Sequence, residues 1–325
     1  MQFILLLCAL GATFLGAPSA AAQQWPERTI TLVVPFAAGS ATDVLGRIVA
    51  VRLGEVLGTN VIVENVSGAG GMNGSARVAR SEPDGYTVVL GNVATHAQNQ
   101  TLYRAPQYNA LTDFEPVAPV AELAAILIGR TDIPATSLKE FISYVKQNET
   151  KLEFGSAGTG SASHLACALL HATVGVDVTH VPYRSAPLAM QDLIAGRIAY
   201  QCGLLPSPIA QIREGQVKAF ALLAASRSSA LPDLPTAAEQ GIAGIEASAW
   251  HGLFLPKGTP PNIVRKLNEA MIATLDTPKV QEQLSTQGAI LPPPDRRSPE
   301  HLREFVKSEI DRWGRTIRSM KIEVN

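Results

Sequence analysis

The chain has 325 residues, 46% of them hydrophobic and 17% charged, with a formal net charge of -1 and 6% aromatic side chains. That is enough chain for about two domains, each with a sizeable core. With no basic run and few aromatics, it argues against nucleic acid as a main partner.

Residues 1–22 contain no charged side chain. An apolar run over 3–15 is too short to span a bilayer, and it leads through Gly16-Ala17-Pro18-Ser19 to Ala20-Ala21-Ala22, an A-x-A site ahead of Gln23. The segment reads as a cleavable secretory signal of a soluble exported protein. Cys8 does not read as a lipidation site, because bulky Leu7 precedes it.

Beyond the signal, strands and helices alternate. Strands are predicted over 30–34, 61–64, 87–91, 125–129, 153–155, 178–181, 198–202 and 219–224. Helices are predicted over 42–57, 72–81, 138–147, 162–174, 186–195, 209–214, 261–274, 278–287 and 299–320. The last has a clear start: Ser298 as cap, Pro299 at the first position and Glu300 in the first turn. This alternation is the pattern of an α/β fold with mainly parallel sheets.

Two segments read as crossings between lobes, AELAAILIGRTDIPATSLKEF from Ala121 and GIEASAWHGLFLPKGTPP from Gly244. The expected division is a signal at 1–22, a first lobe from 23–130 and 247–325, and a second lobe from 131–246. Loops beyond the carboxyl ends of strands, facing the cleft, are where a ligand is expected.

Three small-residue corners stand out. In the first, Phe36-Ala37-Ala38-Gly39-Ser40 runs into Ala41-Thr42-Asp43, with Ser40 and Asp43 spaced as a capping box. Asp43 is either part of that cap or a ligand contact. The remaining amides near Gly39 to Thr42 are free for a ligand oxygen. The second corner, Asn92-Val93-Ala94-Thr95-His96, follows a strand, with its candidate ligand contacts at Ala94, Thr95 and His96, and His96 either donates to a carboxylate or packs locally. The third, Ser156-Ala157-Gly158-Thr159-Gly160-Ser161-Ala162-Ser163-His164, opens a helix and lacks the lysine of a phosphate loop, so it suits a compact anion. Nearby Tyr183 offers an aromatic wall, while Arg184 is either a ligand contact or a solvated surface cation.

A glycine-rich run, Ser67-Gly68-Ala69-Gly70-Gly71-Met72-Asn73-Gly74, fails dinucleotide spacing, because Asn73 stands where the third glycine belongs. It reads as a place of tight packing or a rim contact. No metal or cofactor is expected. Cys167 and Cys202 form either a bridge or two buried thiols. Ser163 and His164 leave open an exported hydrolase, although no Asp orienter or strained elbow accompanies them.

In order along the mature chain, VPFAAGSATDVLGR, SGAGGMNG, EPDGYTVVLGN, FGSAGTGSASHLA, HVPYRSAPLAMQDLIAGRI, LPDLPTAAEQGI and WHGLFLPKGTPP resemble the Bug (TctC-like) family. These are extracytoplasmic solute receptors of tripartite tricarboxylate transporters. The resemblance implies a two-lobed, type 2-like periplasmic binding protein with two crossover strands. It would work as a monomer in the periplasm, closing on a small carboxylate and passing it to a large and a small integral membrane subunit. Di- and tricarboxylates and aromatic acids are the implied ligands; a sensory role without transport is the further alternative.

Carried onto this chain, the family's ligand loops fall on Phe36 to Asp43, Ala94 to His96 and Ser156 to His164, with Tyr183 beside them. The chain departs from the family at Ala37-Ala38 and Gly39-Ser40, where two prolines and two glycines are usual, and at Ser185, where glycine is common. Ala199 replaces an acidic residue that often meets a ligand amino or hydroxyl group. Its loss points to a plain carboxylate rather than an amino acid.

Overall fold

The computed structural model describes residues 25–320, so the expected signal segment lies outside the described residues. The chain runs β1 (Ile30–Val34), α1 (Ala41–Leu57), β2 (Val61–Asn65), α2 (Met72–Ala79) and β3 (Thr87–Asn92). A wide turn over Ala94–Gln98 leads into α3 (Asn99–Leu102), β4 (Phe114–Leu123) and β5 (Ala125–Gly129). Then come α4 (Leu138–Asn148), β6 (Glu153–Ser156), α5 (Ala162–Val174), β7 (Thr179–Pro182), α6 (Ala186–Ile194) and β8 (Tyr200–Leu204). The chain finishes with α7 (Ile209–Arg213), β9 (Lys218–Leu223), β10 (Ala249–Pro256), α8 (Pro261–Leu275), α9 (Pro278–Thr286), β11 (Ala289–Ile290) and α10 (Pro299–Met320).

Two mixed sheets result, ordered β11-β4-β10-β3-β1-β2 and β7-β6-β8-β5-β9. The βαβ units pair in parallel, β1 with β2 and β3, and β6 with β7 and β8. The returning strands β4, β5 and β10 pair antiparallel. The chain passes from the first sheet to the second at Ala124, between β4 and β5. It passes back at Ser248: the Ala247 N–H still bonds the Leu223 carbonyl at 3.0 Å, and Ala249 already pairs with Leu123. The two crossings therefore lie side by side. β5, grouped with the first lobe on sequence, belongs to the second sheet, which moves the first crossing from Arg130 to Ala124.

Both faces of the first sheet are covered, which is why its strands read as apolar runs rather than alternating ones. Successive residues still point to opposite faces. Leu32 and Leu253 pack with Leu45, Val49, Leu267 and Met271 on one side, and Val33 and Phe254 pack with Met72, Leu302 and Trp313 on the other. The second sheet has its own cores, around Leu127, Phe141, Phe154 and Tyr200 on one face and Ile126, Ile128, Leu193 and Leu222 on the other.

β4 and the two-residue β11 are absent from the predicted strands, and β10 is expected there only as a lobe crossing. Pro116 and Pro119 lack the N–H that a central strand supplies. They are tolerated because β4 meets only the two-residue β11 on its outer side, and because the ladder to β10 shifts register at His251/Gly252 and Leu253/Phe254. Cys167 and Cys202 form a disulfide, with a Cα–Cα separation of 5.4 Å, that ties α5 to β8.

Candidate functional site

Each of three helices opens on a serine. At α1 the Ser40 hydroxyl accepts the Asp43 N–H at 3.2 Å, and at α5 the Ser161 hydroxyl accepts the His164 N–H at 3.3 Å. At α6 the Ser185 hydroxyl accepts the Leu188 N–H at 3.4 Å. A cap of this kind uses only one of the orphan donors of a helix start. The N–H groups of Ala41 and Thr42, of Ala162 and Ser163, and of Ala186 have no carbonyl behind them within their helices.

These three starts converge on one narrow cavity of about 40 Å³. Phe36, Ser40, Ala41 and Thr42 line it from the first lobe together with Asn92, and Ala157, Ser161, Ala162 and Ser163 line it from the second. Ala186 and Met190 of α6 add a third wall, and Gln201, Gly203, Leu204, Ser207 and Pro208 form a floor from β8 and the turn after it. None of these side chains carries a formal charge. Positive potential comes instead from the dipoles of helices 17, 13 and 9 residues long, each equivalent to roughly half a unit charge at its start.

The structure sorts the residues expected at the site. Phe36, Ser40, Ala41, Thr42, Ala157 and Ser161 line the cavity; Ala38 and Gly39 are exposed and do not line it, Gly39 facing Pro187 of α6 instead. The Asp43 carboxylate is fully engaged, taking the Gly39 N–H at 2.9 Å, Arg47 Nε at 3.0 Å and Asn65 Nδ2 at 2.9 Å. Burial alone would raise its pKa, but the bonds from Arg47, Gly39 and Asn65 outweigh that and hold it below the usual aspartate value. Asp43 buttresses the corner and does not line the cavity.

Ala94, Thr95 and His96 are fully buried behind the wall rather than in it. His96 stacks on Phe254 with ring centroids 3.8 Å apart, and burial lowers its pKa to about 3. The residue this corner sends to the cavity is Asn92. Its Oδ1 accepts the N–H groups of Ala94 and Thr95 at 3.0 and 3.2 Å, which leaves its NH2 as the donor on offer.

In the third corner, Ser156 is buried, with its Oγ 2.7 Å from His180 Nε2 and accepting the Gly158 N–H. Gly158 backs onto the Tyr183 carbonyl. Thr159 and Gly160 meet the first lobe: Tyr103 Oη donates to the Thr159 carbonyl at 3.2 Å, and Gly70 packs on the Gly160 backbone. Of the two readings of the glycine-rich run, tight packing is what Gly70, Gly71 and Gly74 show, and none of them lines the cavity. Tyr183 turns its hydroxyl to Asp192 Oδ2 at 2.7 Å, away from the cavity, and Arg184 is exposed outside it. Ala199 lies in the second core, two residues before the cavity residue Gln201.

The serine and histidine considered for hydrolysis do not pair. Ser163 Oγ accepts the Ala157 N–H at 2.9 Å and lies 3.0 Å from Ser161 Oγ. His164 Nδ1 accepts the Gly160 N–H at 3.4 Å, and its ring stacks on His180 at 4.1 Å. Burial first, then His180 and His171, lower the His164 pKa to about 3.

The cavity residues unforeseen from sequence are Asn92, the α6 wall and the β8 floor. Ser185-Ala186-Pro187 is a cap signal of the same kind as the other two, and it is where the third donor set was legible. One further side chain supports the site from behind. His251 of β10, 1% exposed, places Nε2 3.1 Å from Thr42 Oγ1 and Nδ1 3.1 Å from the Ala249 carbonyl.

Over residues 45–322 the chain matches the TctC family model, described as the tripartite tricarboxylate transporter family receptor. A UPF0065 protein from the TAR-I ttuE-ttuC' intergenic region of Agrobacterium vitis is 37% identical over 316 residues, covering 97% of this chain and 90% of that protein. The solved periplasmic binding protein BugD superposes with a TM-score of 0.87 at 38% identity, covering 92% of this chain and 99% of that one. MatC of Rhodopseudomonas palustris with bound malate superposes with a TM-score of 0.86 at 39% identity, covering 90% and 100%.

Proposed function

This chain belongs to the receptor family of tripartite tricarboxylate transporters, and from that premise we propose that its cavity captures a small carboxylate and releases it unchanged to the membrane subunits of a transporter. In this reading the protein works in the periplasm as a monomer. It closes about the paired crossings at Ala124 and Ser248, and it carries out no chemical transformation.

The observation that carries the reading is the convergence of three serine-capped helix starts on a cavity lined by uncharged side chains. Micromolar capture needs about -8 kcal/mol net. Each charge-assisted bond from an N–H to a carboxylate contributes roughly 1.5–3 kcal/mol. A helix start adds up to about 2 kcal/mol when partly buried. Three or four such bonds offset an association cost of at least ~4 kcal/mol. Uncharged donors also suit a carrier, which has to let its cargo go. The malate bound to MatC is of this chemical kind.

Mass spectrometry of the small molecule released from natively purified protein tests the proposal, followed by calorimetry of stripped and refolded protein with di-, tri- and aromatic carboxylates. A carboxylate recovered intact is the expected result. If no carboxylate in such a panel raises the melting temperature, or if the bound molecule emerges altered, the reading is wrong.

A further inference from the structure

We infer that the ligand is a 2-hydroxy acid and that Thr42 is the residue that recognises its hydroxyl. This rests on the carboxylate reading above and names the class of carboxylate.

His251 Nδ1 lies 3.1 Å from the Ala249 carbonyl oxygen. A carbonyl only accepts, so Nδ1 carries the ring proton. The ring is fully buried, and burial lowers its pKa to about 4 against weaker opposing contributions from the Ala249 and Ala121 backbones. Near neutral pH it therefore holds one proton, and Nε2 presents a bare lone pair. Thr42 Oγ1, 3.1 Å from that nitrogen, must be the donor between them.

A threonine hydroxyl has one proton to give. With that proton committed to His251, the Thr42 oxygen can offer the cavity lone pairs only. Thr42 lines the cavity, and its own N–H and that of Ala41 are first-turn donors beside it. The pattern is a pair of donors next to a fixed acceptor. A carboxylate oxygen satisfies the donors and is repelled by the acceptor. A hydroxyl on the adjacent carbon satisfies the acceptor. An ammonium there would also donate, but no lining side chain carries a negative charge to neutralise it. The neutral hydroxyl is the group that fits. The expectation of a plain carboxylate came from Ala199, which the fold places in the core and outside the cavity wall.

The test is calorimetric titration of ligand-stripped protein with three matched pairs: malate and succinate, 2-hydroxyglutarate and glutarate, mandelate and phenylacetate. At least one hydroxy acid is expected to bind about ten-fold or more tightly than its deoxy partner, the cost of leaving a buried acceptor unpaired. In Thr42→Val that ratio should fall to near one, and in Thr42→Ser it should persist. Deoxy acids binding the wild-type protein as tightly as their hydroxy partners overturn the inference while leaving the carboxylate reading intact. So does a preference that survives Thr42→Val. Failure of all six acids to bind overturns the inference, while the carboxylate reading stands or falls on the wider panel of di-, tri- and aromatic acids. The wild-type comparison needs no variant, so a Thr42 variant that does not fold leaves the inference exposed to refutation.

Discussion

Gly70 of the first lobe and Gly160 of the second meet backbone to backbone, so close that a Cβ on Gly70 would lie 2.7 Å from the Gly160 carbonyl carbon. Gly70 also sits at φ +59, where side chains are disfavoured. In Gly70→Ala the φ strain acts whether the lobes are apart or together, whereas the clash exists only when they touch. Ligand affinity should therefore fall by about ten-fold or more, because the competent state becomes less populated. The melting temperature of the ligand-free protein should drop far less. Calorimetry and thermal melts of the same variant separate the two; unchanged affinity would show that the Gly70–Gly160 contact is not needed for binding.

Proline offers a way to delete single donors from the cavity. Ser40 and Ser161 have φ/ψ of -69/159 and -74/156, which a following proline accepts, and the first helical position tolerates its missing N–H. Ala41→Pro and Ala162→Pro should keep their helices. Each should lose one charge-assisted bond to the ligand, about 1.5–3 kcal/mol or roughly ten- to a hundred-fold in affinity. Isothermal titration measures this, with circular dichroism as the check on the fold. Full affinity in both variants would remove these helix starts from the site.

Breaking the Cys167–Cys202 bridge frees a loop with a sequence separation of 35. Chain-entropy bookkeeping puts the stabilisation at roughly 4 kcal/mol for a loop of that length. Thermal melts with and without reductant should show a clear loss. Because the bridge joins α5 to β8, which supply two walls of the cavity, ligand affinity should weaken along with stability. Loss of stability with affinity untouched would show that the two walls hold their places independently.

Acid should destabilise the fold well before the carboxylates titrate. His96 and His164 are held near 3, and His171, His180 and His251 near 4, each primarily through burial. The unfolded chain binds protons at these groups near 6.5, so over this window it holds more protons than the native state. Stability then rises with pH. It is fully present above about 6.5 and is lost progressively as the pH falls toward about 4. Urea unfolding at pH 7.5, 6 and 5 measures the slope; a flat profile over that range would mean these rings are not buried neutral.

Much of the fold was legible because its signals are local. Serine caps at Ser40, Ser137, Ser161 and Ser298 mark helix starts, and the apolar run Ala125-Ile126-Leu127-Ile128 marks a strand covered on both faces. What escaped depended on partners distant in the chain. β4 carries two prolines that sequence rules count against a strand, and the short neighbour β11 and the register shifts opposite them in β10 make room. His96 stood in a corner that resembled a ligand loop. Its burial depends on Gly91, where a Cβ would lie 2.3 Å from the imidazole. The cavity floor at Gln201 and Gly203 comes from a strand whose residues carry no motif, and no spacing rule could assign them.

The floor of the cavity also touches one of the two crossings. The Leu205 N–H bonds the Ala124 carbonyl at 3.0 Å, so the turn bearing Leu204, Ser207 and Pro208 is fastened to one of the two crossings about which closure is proposed. If the lobes close about those crossings as proposed, points near them travel least and points far from them most. A molecule entering an open form would then meet its deepest contacts already in place and its outermost ones last. Its dwell before closure would be set at the bottom of the cleft, and its escape afterwards at the top.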